Sequence, residues 1–319
     1  MTPPASDHFN GKTFFYPGFK AQKGLFDLLR WKLTSRAARW PRRVEVPSKP
    51  LAPAPPASGG VEATWIGQST FLLRTSDAAI LTDPVYSQRA SPIQWAGPRR
   101  VTEPGIAFDA LPRIDLVLLS HDHFDHCDLP TLRRLAIRDN PLVLAPVGHA
   151  ALLAGAGVLR VVELDWWERR ALDHGVEATL VPSLHWCQRL LFRTNRRLWG
   201  GFMMSCGGRR IHFMGDSGYD PALFNGIRER CGRPDLALIP IGAYEPNWFM
   251  HTAHMNPGEA VRAHLDLGAR RSAAMHWGTF QLSDEGRDDP VRALEAARIA
   301  SSVDPNAFCI LGPGDSLFV

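Results

Sequence analysis

The sequence is poor in cysteine and in long apolar runs. Its five cysteines form no C-x-x-C pair, which argues against a disulfide scaffold and favours a reducing compartment. The first residues lack the basic start and the apolar stretch of a secretory signal. No apolar run approaches the roughly 20 residues that a membrane-spanning helix needs. A cytoplasmic protein is therefore expected.

The charge is modest as well. The 319 residues carry a formal net charge of +4, with 21% charged and 45% apolar residues, which is the composition of an ordinary globular protein. So mild a charge does not indicate a nucleic-acid partner. A chain of this length can bury a large core.

A proline-rich stretch divides the chain. Residues 47–60 (PSKPLAPAPPASGG) hold five prolines and two glycines, too many for a helix or a central strand. We expect an extended connector there, which separates an N-terminal arm at 1–46 from a main domain at 61–319. In that domain, strand-like runs first follow one another closely and later alternate with helical patterns such as 129–139 and 257–268. The pattern predicts an α/β fold of mixed sheets with helices on the outer faces.

The stretch 120-SHDHFDHCD-128 is the strongest chemical signal. It follows a strand-like run and holds the pattern His-x-His-x-Asp-His, and the loops at strand ends are where open α/β folds place their sites. Imidazole and carboxylate are usual ligands of zinc. We expect His121 and His123 to converge on one ion, and Asp125 and His126 to point at a second.

Four donors on one loop cannot complete two sites, so further ligands have to come from other strand ends. His185, Asp216 and His276 each follow a strand-like run. Taken alone, each is more often an ordinary structural residue. Together with the loop they supply the number of donors that two zinc ions need, and Asp216 could bridge both ions.

These residues carry a resemblance to a known family. The His-x-His-x-Asp-His pattern, a spaced histidine, an aspartate in a Gly-Asp-Ser-Gly context and a final histidine resemble the metallo-β-lactamase superfamily. Several stretches are more narrowly similar to the N-acylphosphatidylethanolamine-hydrolysing phospholipase D family: 82-TDPVYSQRASPIQWAGPRR-100, 163-ELDWWE-168, 182-PSLHWCQR-189, 198-LWGGF-202, 239-IPIGAYEPNWFM-250 and 275-MHWGTF-280. They cover most of residues 61–290 in the same order.

The resemblance implies a four-layer αββα sandwich, the metallo-β-lactamase fold, with a binuclear zinc site at one edge. It implies that a first zinc is held by His121, His123 and His185. It implies that a second zinc is held by Asp125, His126 and His276, and that Asp216 bridges the two ions. It also implies that Asp83 supports the ligands and that His254 lies near the substrate head group. Ala253 stands where the family has glutamine, and Gln68 where it has histidine. We expect these two departures to affect substrate contacts and to leave the metal ligands untouched.

The expected chemistry is hydrolysis. Two zinc ions that share a hydroxide would supply a nucleophile at neutral pH and a clamp for developing oxygen charge. A phosphodiester suits that clamp, with Asp125 and Asp216 on the metals, Asp125 as proton acceptor and His254 as a general-acid candidate. The predicted function is phospholipase D-type hydrolysis of N-acylphosphatidylethanolamine or a related glycerophospholipid. The alternative is a soluble hydrolase of a sugar-phosphate lactone or a small phosphodiester, and a third is a non-catalytic protein that keeps the metals structurally.

Aromatic residues crowd the matched stretches and supply candidate substrate contacts. Tyr244 and Trp248 would line an apolar groove for an acyl chain, and Phe124 lies inside the histidine-rich loop itself. The ordinary alternative is that most of these aromatic side chains pack in the core.

Residues 18–43 are basic and apolar at once. They contain eight lysines and arginines against one acid, Asp27. Leu25, Leu28, Leu29 and Trp31 to Leu33 fall roughly on one helical face, which predicts a basic amphipathic helix. Such a helix either lies in the headgroup region of an anionic membrane, which would make the protein peripheral there, or docks its apolar face on the main domain. The sequence leaves an oligomer open as well.

Overall fold

The computed structural model describes residues 6–19, 23–47, 56, 59–189 and 193–319. Its helices are α1 (Leu25–Thr34), α2 (Leu129–Arg138), α3 (Ala150–Gly155), α4 (Pro221–Cys231), α5 (Asn247–Met250), α6 (Pro257–Leu267) and α7 (Asp289–Ala300). Its strands are β1 (Glu62–Gly67), β2 (Thr70–Arg74), β3 (Ala79–Thr82), β4 (Leu116–Leu118), β5 (Leu142–Pro146), β6 (Val161–Leu164), β7 (Arg169–Ala171), β8 (Glu177–Val181), β9 (Gly201–Cys206), β10 (Arg209–Phe213), β11 (Leu236–Pro240), β12 (Arg271–Met275), β13 (Phe308–Cys309) and β14 (Ser316–Phe318). Most of the predicted connector at 47–60 lies outside the described residues.

The strands form two mixed sheets. One has the order β14-β1-β2-β3-β4-β5-β6, and the other has the order β13-β12-β11-β10-β9-β8-β7. In each sheet the strands joined by tight turns pair antiparallel, as β1 with β2 and β9 with β10. The strands that alternate with helices pair parallel, as β4 with β5 and β11 with β12. The prediction of mixed sheets from the spacing of the strand-like runs is therefore confirmed.

The first sheet is apolar on both faces because it is covered on both. Phe71 and Leu73 of β2 belong to the core between the two sheets. Leu72 points the other way and packs with Leu132 and Leu135 of α2 in a second core. Side chains alternate across a strand, so one continuous apolar run can fill two cores.

The second sheet is covered on its outer face by α4, α6 and α7. Phe224, Val261 and Leu294, one from each helix, are buried in the same core as that sheet. The start of α6 is fixed by a reciprocal cap, in which Asn256 Oδ1 accepts from the Glu259 amide at 2.9 Å and the Glu259 carboxylate accepts from the Asn256 amide at 3.0 Å. With helices on both outer faces, the predicted four-layer αββα sandwich is confirmed.

The N-terminal residues pack against the sandwich. Phe9 and Phe14 are buried in the large core to which both sheets contribute, and His8 Nε2 lies 2.7 Å from the Asp165 carboxylate. Farther along, the Trp40 indole N–H donates to the Glu285 carbonyl at 2.8 Å. Residues of the predicted arm therefore contribute to the main domain, and the boundary at residue 46 stays a prediction.

The two sheets approach each other closely at the edge that carries the histidine-rich loop. Ser120 follows β4 of the first sheet, and Gly215 follows β10 of the second. A Cβ at Gly215, where φ is +65°, would lie 2.7 Å from Ser120 Cβ, so the contact requires glycine. This approach brings the strand ends of both sheets to one site.

Candidate metal centre

Seven ligand-competent side chains converge where β4, β8, β10 and β12 end. The first group is His121, His123 and His185. His123 Nδ1 lies 2.9 Å from His121 Nε2 and 3.2 Å from His185 Nε2. Ligand atoms about one tetrahedral ion with metal–nitrogen bonds of 2.0–2.1 Å stand roughly 3.3 Å apart. The three nitrogens are thus spaced as ligands of a single ion.

The second group lies directly beside the first. His276 Nε2 lies 3.1 Å from Asp125 Oδ2 and 3.2 Å from His126 Nε2, and His126 Nε2 lies 3.3 Å from Asp125 Oδ2. His276 has a φ of +61°, a left-handed conformation that is uncommon for histidine. The turn after β12 is thus bent so that this ring joins the cluster.

Asp216 lies between the two groups. Its Oδ2 is 3.1 Å from His126 Nε2 and 3.2 Å from His276 Nε2 in the second group. The same oxygen is 4.0 Å from His121 Nε2 and 3.8 Å from His185 Nε2 in the first. Asp216 Oδ2 is thus closer to the second group and also faces the first.

The outer nitrogens of three rings are held by neighbours. His126 Nδ1 lies 2.6 Å from Asp83 Oδ2, and His121 Nδ1 lies 2.9 Å from the Ser120 hydroxyl. His185 Nδ1 lies 3.0 Å from the carbonyl of Ala253. These contacts favour the tautomer that leaves each inner nitrogen with a lone pair, which is how ligating histidines are oriented.

The two groups differ in charge. Burial lowers the pKa of His121 and of His185 well below its ordinary value, so both rings are neutral at neutral pH. Burial acts in the same direction on His276, but Asp216 and Asp125 outweigh it and raise the pKa of His276 to about 9. Burial raises the pKa of Asp216, but the neighbouring histidines outweigh it, and the pKa lies well below its usual range. Without metal, the second group is therefore a histidine–carboxylate ion cluster.

These residues fit divalent metal ions. The Asp216 side chain is buried, and its Oδ1 has no hydrogen-bond partner in the described part of the chain. Clustered buried donors of this kind are costly unless a cation balances them. The donors are nitrogen and oxygen atoms, a set that suits zinc and neighbouring transition metals. The adjacent thiol of Cys127 is buried, and burial raises its pKa to about 12, which argues against a thiolate ligand there.

Gln68 touches this cluster, and the expectation that it would leave the metal ligands untouched is wrong. The residue is 1% exposed, and its Nε2 donates to Asp125 Oδ2 at 2.9 Å. Its carbonyl accepts from the His276 amide at 2.9 Å. The turn between β1 and β2 places Gln68 at a φ of +51°, with its amide group facing inward. Gln68 therefore positions two residues of the second group.

Ala253 contributes through its backbone, because its carbonyl is the partner of His185. The next residue, His254, points at the cluster, and its Nδ1 lies 3.8 Å from Asp216 Oδ2. That nitrogen is buried and without a hydrogen-bond partner in the described part of the chain. Burial lowers the pKa of His254 to about 4. The ring is thus neutral at neutral pH and can donate one N–H.

The three aromatic candidates lie in different surroundings. Phe124 is half-buried, with the Arg189 guanidinium 4.1 Å above its ring. Trp248 is on α5, with the guanidinium of Arg30 4.5 Å above its ring. Tyr244 is half-buried in the segment that leads to α5, and burial raises the pKa of its phenol. Phe124 belongs to the metal-bearing loop, whereas the other two belong to the segment that precedes His254.

Two arginines that the sequence reasoning missed hold the histidine-rich loop. Arg189 Nη1 donates to the carbonyls of Asp122 and Cys127 at 2.9 and 2.8 Å. Arg197 Nη1 lies 2.7 Å from the carboxylate of Asp122, which is buried. A buried carboxylate needs a partner. Asp122 therefore indicates a cationic side chain from elsewhere in the chain, but it does not indicate which residue supplies it.

The comparisons with known proteins agree with this geometry. A family model described as a β-lactamase superfamily domain matches residues 78–277. The chain belongs to this superfamily. As a superfamily member with relatives named as hydrolases, the protein is a metal-dependent hydrolase, and the predictions of family and of enzyme class are confirmed.

The relatives differ in how much of their length aligns with this chain. An uncharacterized protein of Mycobacterium tuberculosis is 38% identical over 283 residues, which cover 85% of this chain and 73% of the relative. An N-acyl-phosphatidylethanolamine-hydrolyzing phospholipase D of Caenorhabditis elegans is also 38% identical, over 71% of this chain and 66% of its own length. The solved structure of Igni18, a metallo hydrolase from Ignicoccus hospitalis, aligns with a TM-score of 0.59 at 19% identity, covering 82% of this chain and 98% of the other. That likeness bears on the fold alone.

Proposed function

We propose that the protein is a binuclear zinc phosphodiesterase. In this proposal it hydrolyses N-acylphosphatidylethanolamine or a related glycerophospholipid in the manner of a phospholipase D. The observation that carries the metal part is the position of Asp216 Oδ2 within 4.0 Å of a ring nitrogen in each group. The identity of 38% with the Caenorhabditis elegans enzyme supports the substrate class.

The donor set supports one metal ion in each group. His121, His123 and His185 would hold the first, and the second group would hold the other, with Asp216 shared. When bound, such a pair of ions supplies an acidified water as nucleophile and positive charge for the phosphoryl oxygens. A phosphodiester presents two non-bridging oxygens and suits a paired site of this kind.

Asp125 is the acceptor of the proton that the attacking water loses. Burial raises the pKa of Asp125, but His126 and the other neighbouring histidine outweigh it and hold the pKa well below its usual range. The carboxylate is therefore ionised at neutral pH. Gln68 fixes it in place through the 2.9 Å hydrogen bond to Oδ2. A fixed, ionised carboxylate can accept a proton from a water molecule within hydrogen-bond reach.

His254 is suited to the leaving-group side. Its buried Nδ1 has no partner in the described part of the chain, so the N–H of the neutral ring is available to a substrate oxygen. In the reaction, the water oxygen bonds to phosphorus and the bond from phosphorus to the ethanolamine oxygen breaks. The leaving oxygen takes a proton, and the products are phosphatidic acid and an N-acylethanolamine. A donor at His254 would stabilise the charge on that oxygen.

The test is a parallel assay on protein of known metal content. Metal per chain is measured first, and turnover is then measured on N-acylphosphatidylethanolamine and phosphatidylethanolamine in mixed micelles and on bis(4-nitrophenyl) phosphate in solution. We expect two zinc ions per chain and turnover of the N-acylated lipid. Turnover of the soluble ester with neither lipid cleaved would overturn the lipid part, and full activity with one ion per chain would overturn the binuclear part.

A pair of variants separates the site from the fold. Asp216→Asn should lower the metal content below two ions per chain and abolish turnover. Asp266→Asn is the matched control. Asp266 is on α6, its carboxylate accepts from the Tyr219 hydroxyl at 2.7 Å, and it belongs to neither group of predicted ligands. Equal losses in the two variants would contradict the assignment of Asp216.

A further inference from the structure

Helix α1 exposes large apolar side chains although it is fixed to the domain. Leu25, Phe26 and Leu33 are 74%, 79% and 85% exposed, and Leu29 is exposed as well. No residue of the helix is buried. Single exposed apolar residues are ordinary, but a contiguous apolar surface marks a place of interaction.

These four side chains form one ridge, which we call the α1 ridge. With about 100° of rotation per residue, Leu25, Leu29, Leu33 and Phe26 fall within an arc of roughly 100° on the helix surface. Lys32 lies at one border of that arc and Arg30 at the other. A narrow apolar ridge between cations is the pattern of a helix that lies in a membrane interface.

The opposite side of α1 is attached to the domain. The ring of Trp31 lies 4.8 Å from the ring of Phe249 between centroids, and its indole N–H donates to the Asp284 carboxylate at 3.1 Å. The Ser35 hydroxyl donates to the same carboxylate at 2.8 Å. The expectation that Trp31 shares the apolar face is therefore wrong: Trp31 anchors the helix and leaves the α1 ridge free.

This attachment connects the helix with the metal-binding cluster. Phe249 is on α5, and the amides of Ala253 and His254 donate to the carbonyl of Met250, at the end of α5, at 2.8 and 3.0 Å. The Ala253 carbonyl in turn is the partner of His185. One helical turn thus separates the anchor of α1 from a side chain of the first group, which fixes the ridge relative to the cluster.

The charge around the ridge is strongly positive. Described residues 23–43 hold seven lysines and arginines and one acid, Asp27. Arg36, Arg39 and Arg42 are exposed just beyond the helix. Anionic lipid attracts such residues near a membrane surface. A second copy of the chain would instead bring the same cations into contact with one another, and like charges repel.

We propose that α1 lies in the headgroup region of an anionic membrane with its ridge inserted, so that the metal-binding cluster is held beside the lipid surface. No helix of the described residues is long and apolar enough to cross a membrane. The partner is a bilayer rich in anionic phospholipid, bound from one side. The inference deepens the proposed function by naming the surface on which a lipid substrate would be met.

The test measures binding, so that it does not depend on turnover. The full-length, metal-loaded chain is floated with vesicles of phosphatidylcholine alone and with vesicles that also contain 30% phosphatidylglycerol, and neither contains N-acylated phospholipid. We expect binding to the anionic vesicles that weakens with added salt. Failure of the lipid-hydrolysis assay leaves this result standing, and the reverse also holds.

Matched variants locate the binding surface. Leu33→Glu should weaken vesicle binding at least about tenfold, because it removes an exposed leucine that the membrane would bury and places a charge in the interface. Ile299→Glu is the control, since Ile299 is 81% exposed on α7. Arg39→Ala should weaken binding about fivefold, and Arg133→Ala, an exposed arginine on α2, should not. Circular dichroism and thermal unfolding confirm that each variant is folded.

Four results would overturn the proposal. Equal binding to neutral and anionic vesicles would exclude the role of the cations, and absence of binding to both would exclude the membrane. Equal effects of Leu33→Glu and Ile299→Glu would exclude the ridge. A dimer in light scattering that Leu33→Glu converts to a monomer would show that a second copy covers the ridge.

Discussion

Replacing Asp83 by asparagine isolates the part of the metal centre that orients its ligands. The carboxylate is fully buried and accepts hydrogen bonds from the Ser120 amide at 2.8 Å, from the Ser120 hydroxyl and from His126 Nδ1 at 2.6 Å. Asparagine has the same shape, but only one of its two terminal atoms accepts. Whichever way the amide is placed, its NH₂ faces a donor.

The expected loss of metal affinity depends on which hydrogen-bond donor the new NH₂ group displaces. Keeping the bond to the Ser120 amide places the new NH₂ against His126 Nδ1, and the ring can accept only if its proton moves to Nε2. That removes the lone pair with which His126 would bind metal. Loss of such an outer partner typically lowers metal affinity 10–100-fold, which corresponds to about 1.4–2.7 kcal/mol.

Competition with a chromophoric chelator at neutral pH measures both metal affinities of the Asp83→Asn variant. We expect the affinity of the second group to fall by the stated factor, and the affinity of the first group, which does not contain His126, to change less. Asp128→Asn is the control, since this buried carboxylate accepts from the amides of Tyr86 and Ser87 at 3.1 and 2.9 Å and contacts no predicted ligand.

Two results would refute this reasoning. Affinities of Asp83→Asn within twofold of the unaltered protein would show that the tautomer of His126 is not set by this carboxylate. An equal loss in Asp128→Asn would show that the effect comes from loosening the loop, which both aspartates help to hold.

Three further predictions address other contacts of the site. Gln68→Ala should lower turnover about tenfold, with metal content preserved, because Asp125 loses its amide donor; unchanged turnover would contradict the positioning role. Metal affinity should rise with pH up to about pH 9, since the metal has to displace the proton that the carboxylates keep on His276 against the effect of burial. Calorimetry in two buffers of different ionisation enthalpy measures that proton release, and a pH-independent affinity would contradict it. Arg189→Ala should lower turnover several-fold through the loop that carries Phe124, and Arg189→Lys should not restore it, because a single ammonium cannot reproduce the planar contact with the ring; rescue by lysine would exclude that contact.

The sequence predicts the site better than its surroundings for a physical reason. Predicted ligands such as His121, Asp216 and His276 directly follow apolar runs, and the strands of packed sheets deliver such residues to a common edge. The contact between Gln68 and Asp125 joins residues 57 positions apart. The contact depends on the left-handed turn at Gln68. Glutamine is not a residue type that indicates such a turn in a sequence. The family resemblance therefore singles out Gln68 as a departure but does not say what its side chain contacts.

The N-terminal helix shows the same division. Its existence and its basic, apolar character follow from the spacing of residues, and α1 lies inside the predicted segment. Which side faces the domain does not follow, because it is decided by single partners far along the chain, Phe249 and Asp284. Short strands such as β7 and β13, of three and two residues, are absent from the prediction because a period of two needs more residues to be recognised.

The local structure around the metal centre has energetic costs that a bound metal would offset. Gln68, Asp83 and His276 all have positive φ angles, of 51°, 32° and 61°, and conformations of this kind cost of order 1–3 kcal/mol each. Asp125 and Asp216 are buried beside one another's histidine partners, which adds the cost of removing charge from water. Cations held in the two groups would interact favourably with the buried carboxylates and ring nitrogens and would offset these local costs. A ligand that binds only the folded state stabilises that state. The strained turns and the buried carboxylates are therefore best understood as parts of a fold that reaches its full stability with metal in the site.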